Sequence, residues 1–323
     1  MINLIILGGL LSFALKNYAA VSQKSFEIYQ HQTVVVAVID TGIDIHHSAL
    51  KKHIWTNPGE SGKDQYGHDK ENNHIDDDGN GFIDDVHGWN FIDNNNDVTD
   101  RHGHGTHISG IIKNQFQAQM VEANHTADLK LMELKYYSPE AKEVDNISFS
   151  TAAIRYANKM KASLINYSGG GLTKFLSEFQ AIQESQKKGI LFIAAAGNSK
   201  SNIDFKRYYP ANYDLKNIIA VAATDQKGDL VSFSNYGTHS VDIAAPGQFI
   251  LSTLPNNQYG IMSGTSQATA FVTGWIAGYY GKNNLQSQSE LLPHRVLGEI
   301  LKKSFYHKSL QGKTKYQLAL VSP

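Results

Sequence analysis

The chain has 323 residues, 41% of them hydrophobic, so it can bury a large core, and its length is compatible with a single α/β domain. Lys and Arg number 29 against 30 Asp and Glu, and the resulting net charge of -1 gives no overall attraction to nucleic acid or to an anionic membrane. Cysteine is absent, which excludes disulfides, thiolate catalysis and cysteine-ligated metals.

The first element in chain order is an apolar stretch over residues 2–15, followed by Lys16 and the small pair Ala19-Ala20. This pattern is typical of a secretory signal peptide, and the stretch is too short to span a bilayer comfortably. We predict a signal peptide over residues 1–20 and a secreted or periplasmic protein without a stable membrane anchor. The remainder, 21–323, is predicted to be one domain with its core at about 33–280 and a C-terminal helical extension at 281–323.

Buried strands alternate with helices along the core. Residues 33–40 form a β-branched run that ends in an acid, which is typical of a strand buried on both faces of a parallel sheet. Four more apolar segments lie at 129–137, 164–168, 190–196 and 218–223, and helical patterns lie at 148–161 and 175–188. This alternation predicts a doubly wound, mostly parallel α/β sheet. Ligands of such sheets bind beyond the carboxyl ends of the strands, where Asp40, Ser168 and Asn198 fall.

An insertion rich in Asp, Asn, Gly and His interrupts this pattern between residues 55 and 100. Its segment 76–85 has oxygen-bearing side chains at the first, third and fifth positions, glycine at the sixth and isoleucine at the eighth, as in a calcium-binding loop. The segment is not a complete EF-hand, because it has His87 at the twelfth position and lacks a flanking helix pair. The alternative interpretation is a solvated acidic loop without a bound ion. The predicted calcium ligands are Asp76, Asp78, Asn80, Phe82, Asp84 and Asp85.

A histidine-rich stretch follows at residues 100–110. Its glycines let the backbone turn tightly into a helix, which would place a histidine at the mouth of the cleft. Such a histidine can accept a proton near neutral pH, and a buried aspartate can orient it. A zinc site on His104 and His107 is disfavoured, because Gly105-Thr106 stands where a zinc-protease helix carries glutamate.

The stretch from Gly260 to Tyr280 predicts a buried helix, because apolar residues recur at steps of three and four from 268 to 279. Ser266 lies in its first turn, beside unpaired backbone N–H groups and the positive end of the helix dipole. Developing negative charge is stabilised there, which suits acyl transfer. The commoner use of Ser266 or Thr265 is a simple helix N-cap.

The strand at 33–40, the histidine-rich stretch and the stretch around Ser266 resemble the motifs of the subtilisin-like serine proteases, the subtilase family. The strand ending at Asp40 resembles the aspartate motif, Gly103-His104-Gly-Thr-His the histidine motif, and Gly264-Thr-Ser266-Gln-Ala-Thr the serine motif. Their order along the chain, Asp then His then Ser, is that of subtilisin. The resemblance covers about residues 33 to 280, so it implies a subtilisin-like α/β fold with the acidic loop as an insertion.

The resemblance also implies roles for particular residues. Ser266 would be the nucleophile, His104 the general base and Asp40 the orienting carboxylate. Asn198 would hold the oxyanion together with the backbone N–H of Ser266, although a strand-end turn residue is the alternative. Ser168-Gly169-Gly170 resembles the edge segment that pairs with an extended substrate, and a flexible glycine loop is the alternative.

Two residues depart from the family pattern, since Gln267 stands where methionine is usual and Ala270 where proline is usual. A shifted turn at the nucleophile would alter how an acyl-enzyme divides between water and amines. We predict a monomeric, calcium-stabilised serine endopeptidase that acts on protein or peptide substrates and not on nucleic acid. The alternatives are a transpeptidase or peptide cyclase with the same site, and a catalytically silent calcium-binding module.

Overall fold

The computed structural model of the chain describes residues 32–140, 142–285 and 292–320. The predicted signal peptide at 1–20 lies outside these residues and stays a prediction. Within the described residues, no helix is both long and apolar enough to cross a membrane.

The strands are numbered in chain order. They are β1 (Thr33–Asp40), β2 (Gly88–Asn90), β3 (Asp128–Lys135), β4 (Leu164–Tyr167), β5 (Leu191–Ala195), β6 (Ile218–Thr224), β7 (Ile243–Pro246), β8 (Ile250–Leu254), β9 (Gln258–Met262), β10 (Ser304–Tyr306) and β11 (Leu318–Leu320). Nine of them form one sheet in the order β10-β11-β7-β6-β5-β4-β1-β3-β2, and β8 pairs with β9 in a separate hairpin. Every pairing of the large sheet is parallel except that of β10 with β11.

In the part of the chain that the structure describes, five α-helices connect or flank the strands. They are α1 (His104–Ala123), α2 (Glu143–Lys159), α3 (Leu176–Lys187), α4 (Thr265–Asn283) and α5 (Leu292–Lys303), and a short 3-10 turn follows at Lys308–Leu310. The predicted helix at 148–161 begins earlier, at Glu143. Its first turn carries Glu143 and Asp145, whose negative charges are stabilised by the helix dipole. That turn lacks the apolar spacing from which a helix is predicted.

Both faces of the sheet are buried. Val36 and Val38 of β1 belong to a core that includes α1 and α4, whereas Ala37 and Ile39 belong to a second core that includes α2 and α3. Successive side chains of a strand point to opposite faces, so a continuous apolar strand needs a helical layer on each side. The prediction of a doubly wound, mostly parallel sheet is confirmed.

Helix α4 is enclosed over most of its length, since its residues 265–281 are all buried. It packs along α1 and also contacts several strands of the sheet. Because its position is fixed on most sides, its first turn is held at a defined place above the carboxyl edge of the sheet. The chain thereby presents the starts of α1 and α4 to the same edge.

Candidate active site

Asp40 ends β1 at the carboxyl edge of the sheet and is buried. Its Oδ1 accepts a hydrogen bond from Nδ1 of His104 at 2.7 Å and another from the backbone N–H of Thr41 at 2.8 Å. A carboxylate fixed in this way holds the imidazole in one orientation, with its proton on Nδ1 and Nε2 free to accept. The structure therefore brings these two predicted site residues together.

His104 is the first residue of α1, and two glycines place it there. Gly103 has a φ of 97°, a conformation that glycine adopts readily. A Cβ on Gly105 would lie 2.1 Å from the carbonyl oxygen of Gly42, so a side chain at that position would push α1 away from the turn after β1. The glycines thus allow the histidine to reach Asp40.

Asp100 links the turn after β1 to the start of α1 by hydrogen bonds. Its Oδ1 accepts hydrogen bonds from the Gly103 N–H at 2.7 Å and from Oγ1 of Thr41 at 3.0 Å. Its Oδ2 accepts from the N–H and Oγ1 of Thr106 at 2.9 and 2.7 Å. The sequence showed Asp100 only as the start of the histidine stretch, yet an acid just before a helix start is a recognisable signal for an N-terminal brace.

The charges around His104 set its basicity. Burial lowers the pKa of His104, but the charge and hydrogen bond of Asp40, with a further contribution from the charge of Asp100, raise it above its ordinary value. The protonated ring is therefore stabilised, which is the form that a general base reaches when it has taken a proton.

Glu133 lies beneath this group in the middle of β3, fully buried. Its Oε1 accepts a hydrogen bond from the Gly42 N–H at 3.2 Å. Burial, together with the charges of Asp40 and Asp100, holds the pKa of Glu133 well above its usual range. Its neutral form is thereby favoured, which keeps a third negative charge away from Asp40. Because β3 also carries Asp128, Lys130 and Lys135, the sequence did not single out Glu133.

Ser266 is the second residue of α4 and is buried. Its Oγ donates a hydrogen bond to the carbonyl oxygen of Ser168 at 2.9 Å, rather than to the ring of His104. A cavity of about 540 Å³ is lined by Asp40, His104 and Ser168 among other residues, so the aspartate and histidine share one cleft with the carbonyl that Ser266 contacts.

Asn198 follows β5 and is tied to the start of α4. Its Oδ1 accepts from the Thr265 N–H at 2.9 Å and from Thr265 Oγ1 at 3.0 Å. Because the amide oxygen is engaged by the helix, the two N–H donors of Nδ2 are directed away from it. The structure thus places Asn198 directly beside the turn that carries Ser266, as a donor site for an oxyanion requires.

The predicted edge segment, Ser168-Gly169-Gly170, lines the cavity. Next to it, Gly171 and Tyr209 exchange two backbone hydrogen bonds of 2.9 and 2.7 Å. This pairing fixes the chain at the end of the segment. Gly169 and Gly170 carry no side chains of their own, and a Cβ at these positions would collide with the side chains of Tyr136 and Tyr208.

Two of the predicted calcium ligands meet in a cluster with a third acid. Asp78, Asp85 and Glu60 each contribute an oxygen to a group whose members all lie within 4.8 Å of one another. The Asn57 Nδ2 bridges Asp78 and Asp85 at 3.0 and 2.7 Å. Among the described residues, the buried Oε2 of Glu60 has no hydrogen-bond partner. A cation would supply that partner and neutralise the cluster, so these residues fit a calcium ion.

The other four predicted ligands make different contacts. Asp76 and Asp84 accept hydrogen bonds from backbone N–H groups of the loop. Asn80 donates from Nδ2 to Oδ2 of Asp85 at 2.8 Å, and Phe82 packs its ring among the aromatic side chains of the core. Glu60 was missed because it lies outside the ten-residue motif and reaches it only through the folding of the insertion.

An imidazole held by a carboxylate, a serine at a helix start and an amide donor beside it are the groups that serine hydrolases combine, and here they lie at the carboxyl edge of a doubly wound α/β sheet. The subtilase family model matches residues 31–312, and the chain belongs to that family of serine proteases.

Two curated relatives show the extent of the similarity. A thermophilic serine proteinase from Bacillus sp. (strain AK1) is 33% identical over 253 residues, which cover 78% of this chain but 53% of the relative. Thermitase from Thermoactinomyces vulgaris is 37% identical over 265 residues, covering 79% of this chain and 77% of the relative. The chain thus spans about half the length of the first of these relatives.

Among solved structures, a cold-adapted subtilisin-like serine proteinase superimposes with a TM-score of 0.66 at 26% sequence identity. The alignment covers 90% of this chain and 89% of that one. The sequence-based identification of the family and of its fold is therefore confirmed.

Proposed function

We propose that the protein is a serine endopeptidase that cleaves peptide bonds through an acyl-enzyme on Ser266. The observation that carries this proposal is the 2.7 Å hydrogen bond between Asp40 and His104 at the edge of the sheet where α4 presents Ser266. Family membership supports it, since one matched relative and one matched structure are named as serine proteinases.

In the first half of the reaction, the Ser266 hydroxyl rotates from the Ser168 carbonyl toward Nε2 of His104 and gives up its proton there. Oγ forms a bond to the carbonyl carbon of the substrate, and the carbonyl oxygen becomes an oxyanion. The Nδ2 of Asn198 and the backbone N–H of Ser266 donate hydrogen bonds to that oxyanion. When the tetrahedral intermediate collapses, the C–N bond breaks and His104 passes its proton to the leaving amine.

In the second half, water attacks the acyl carbon while His104 accepts a proton from it. The bond to Oγ then breaks, the new carboxylic acid leaves, and the proton returns to Ser266. Throughout, Asp40 stays ionised and stabilises the imidazolium. Ser168-Gly169-Gly170 holds the substrate in extended form by backbone hydrogen bonds, which accounts for the small side chains of that segment.

Hydrolysis is tested by digesting an unstructured polypeptide in ¹⁸O-labelled water, with and without added glycinamide, using the calcium-loaded protein. We expect new carboxyl termini that carry one ¹⁸O atom, and no such products with Ser266→Ala. Predominant amide products in the presence of glycinamide would instead show a transpeptidase. An intact polypeptide after incubation with folded protein would contradict the proposal and favour the silent module.

We further propose that Glu60, Asp78 and Asp85 hold a structural calcium ion, supported by their converging oxygens and the unpartnered Oε2 of Glu60. When bound, the ion would offset most of the negative charge of the three clustered carboxylates and fix the insertion to the domain. Calcium should raise the Tm of the Ser266→Ala protein relative to the chelated protein, and Glu60→Gln should reduce that increase. Glu71→Gln, an exposed position in the same insertion, is the control; an equal response of both variants would contradict the site.

The site acts on a peptide or protein substrate, and we propose that the chain works as a monomer. Secretion or periplasmic export is supported by the apolar stretch at 2–15, and N-terminal sequencing of exported protein tests it. A start near residue 21 is the expected result, whereas retention of the full stretch in the cytoplasm would contradict it.

A further inference from the structure

One aromatic side chain lies between the two backbone segments that flank the proposed nucleophile. A Cβ on Gly170 would lie 2.5 Å from Cε1 of Tyr208, and a Cβ on Gly197 would lie 3.0 Å from the same atom. Gly170 belongs to the proposed substrate-pairing segment, and Gly197 directly precedes Asn198. The ring of Tyr208 therefore packs against bare backbone on both sides.

The same two segments must border the side chain that precedes the cleaved bond, if the proposed function holds. The attacked carbonyl has to lie at Ser266 with its oxygen toward Asn198, and the residue that owns it pairs with the segment containing Gly170. Its side chain leaves the Cα next to that carbonyl, so it enters the space between the two segments. Tyr208 already fills part of this space.

Tyr208 is held in place by its neighbours. Its backbone N–H donates to Oδ1 of Asn212 at 2.8 Å, and the next residue, Tyr209, is paired with Gly171 by two backbone hydrogen bonds. Tyr208 is half-buried, and burial, with a further contribution from the charge of Glu178, raises its pKa to about 12. These hydrogen bonds fix the backbone that carries the ring, so a substrate side chain that enters this space would have to move the ring itself.

We propose that Tyr208 is a specificity-determining residue that restricts the position before the cleaved bond to Gly, Ala or Ser. A larger side chain such as Leu or Phe would overlap the ring, and removing the ring would open a slot between two glycine backbones that suits a flat aromatic or long aliphatic group. Tyr208 thus sets the size of the substrate side chain that can be accepted before the cleaved bond, because its ring occupies part of the pocket for that side chain.

The test is a series of otherwise identical fluorogenic peptides with Gly, Ala, Ser, Leu or Phe before the cleaved bond, with kcat/KM measured for the parent, Tyr208→Ala and Tyr208→Gly. A side-chain mismatch in a pocket changes kcat/KM by about 10- to 200-fold, so we expect the parent to favour Ala over Phe by roughly 100-fold. Both variants should reverse or abolish that preference. Phe205→Ala, at an exposed position of the same loop, should leave the Ala-to-Phe ratio unchanged.

The outcomes separate this inference from the proposed function. Loss of cleavage of the Ala peptide in Ser266→Ala, with cleavage in the parent, supports the function alone. Equal cleavage of Ala and Phe peptides by the parent, or an unchanged ratio in a Tyr208 variant that still cleaves the Ala peptide, overturns the inference and leaves the function standing. No cleavage of any peptide by folded parent protein overturns both. Because two variants are tested, a folding defect in one does not decide the result.

Discussion

Glu178 in α3 gives the fold a pH dependence that can be calculated from its surroundings. The side chain is almost completely buried, and its Oε2 accepts a hydrogen bond from the Tyr213 hydroxyl at 2.9 Å. Burial raises the pKa of Glu178 from 4.5 to about 7, against the opposing effect of hydrogen bonds from Tyr213 and Tyr167. The folded protein therefore binds this proton more tightly than the unfolded chain does.

The sign and size follow from linkage. The stabilisation by the bound proton is fully present below pH 4.5 and is lost as the pH rises to about 7. A shift from 4.5 to about 7 is 2.5 units, and at 1.36 kcal/mol per unit the lost free energy of unfolding is about 3 kcal/mol. Glu178→Gln remains neutral at every pH, so it should become more stable than the parent, by up to this amount, as the pH passes 7.

Denaturant unfolding at pH 5, 6, 7 and 8 measures this difference, in the Ser266→Ala background so that self-digestion does not interfere. Glu184→Gln is the matched control, because Glu184 lies on the same helix but is exposed. The stability gap between Glu178→Gln and the parent should shift by about 3 kcal/mol in favour of the variant across the series. A gap that is the same at all four pH values would refute the reasoning.

Two further predictions concern the site. Asp40→Asn should lower kcat by about 10⁴, as loss of the orienting carboxylate does in a serine protease. It should also move the acidic limb of the pH profile of kcat/KM to lower pH, because His104 loses the charge that raises its pKa. An unmoved limb would contradict this prediction. Asn198→Ala should lower kcat by about 10² to 10³ with little change in KM, a magnitude known from subtilisin, and a change confined to KM would contradict an oxyanion role.

The sequence alone predicted those strands and helices whose local residue pattern reflects which of their faces are buried in the folded protein. β1 has the predicted bounds because a β-branched run without polar interruption requires two buried faces, and its terminal Asp40 falls at the sheet edge for the same reason. The helix that carries Ser266 was predictable from its apolar spacing alone. Its contacts with α1 follow from small residues that the sequence also displays.

What the sequence could not reveal depends on approaches between distant parts of the chain. Glu60 joins Asp78 only because the insertion folds back on itself, and the ring of Tyr208 meets Gly170 and Gly197 through a loop without periodic pattern. Glu133 carries no local sign of lying under Asp40, since that proximity arises from strand pairing. Such contacts are set by tertiary packing, which local propensity does not encode.

The most direct test of the central claim is the intact mass of the folded, calcium-loaded protein before and after reaction with a fluorophosphonate, followed by peptide mapping. An activated serine forms one covalent adduct, so we predict a single mass increase located on Ser266 and none on the Ser266→Ala variant. Absence of an adduct on folded protein, or an adduct on another residue, would contradict the assignment of Ser266 as the nucleophile.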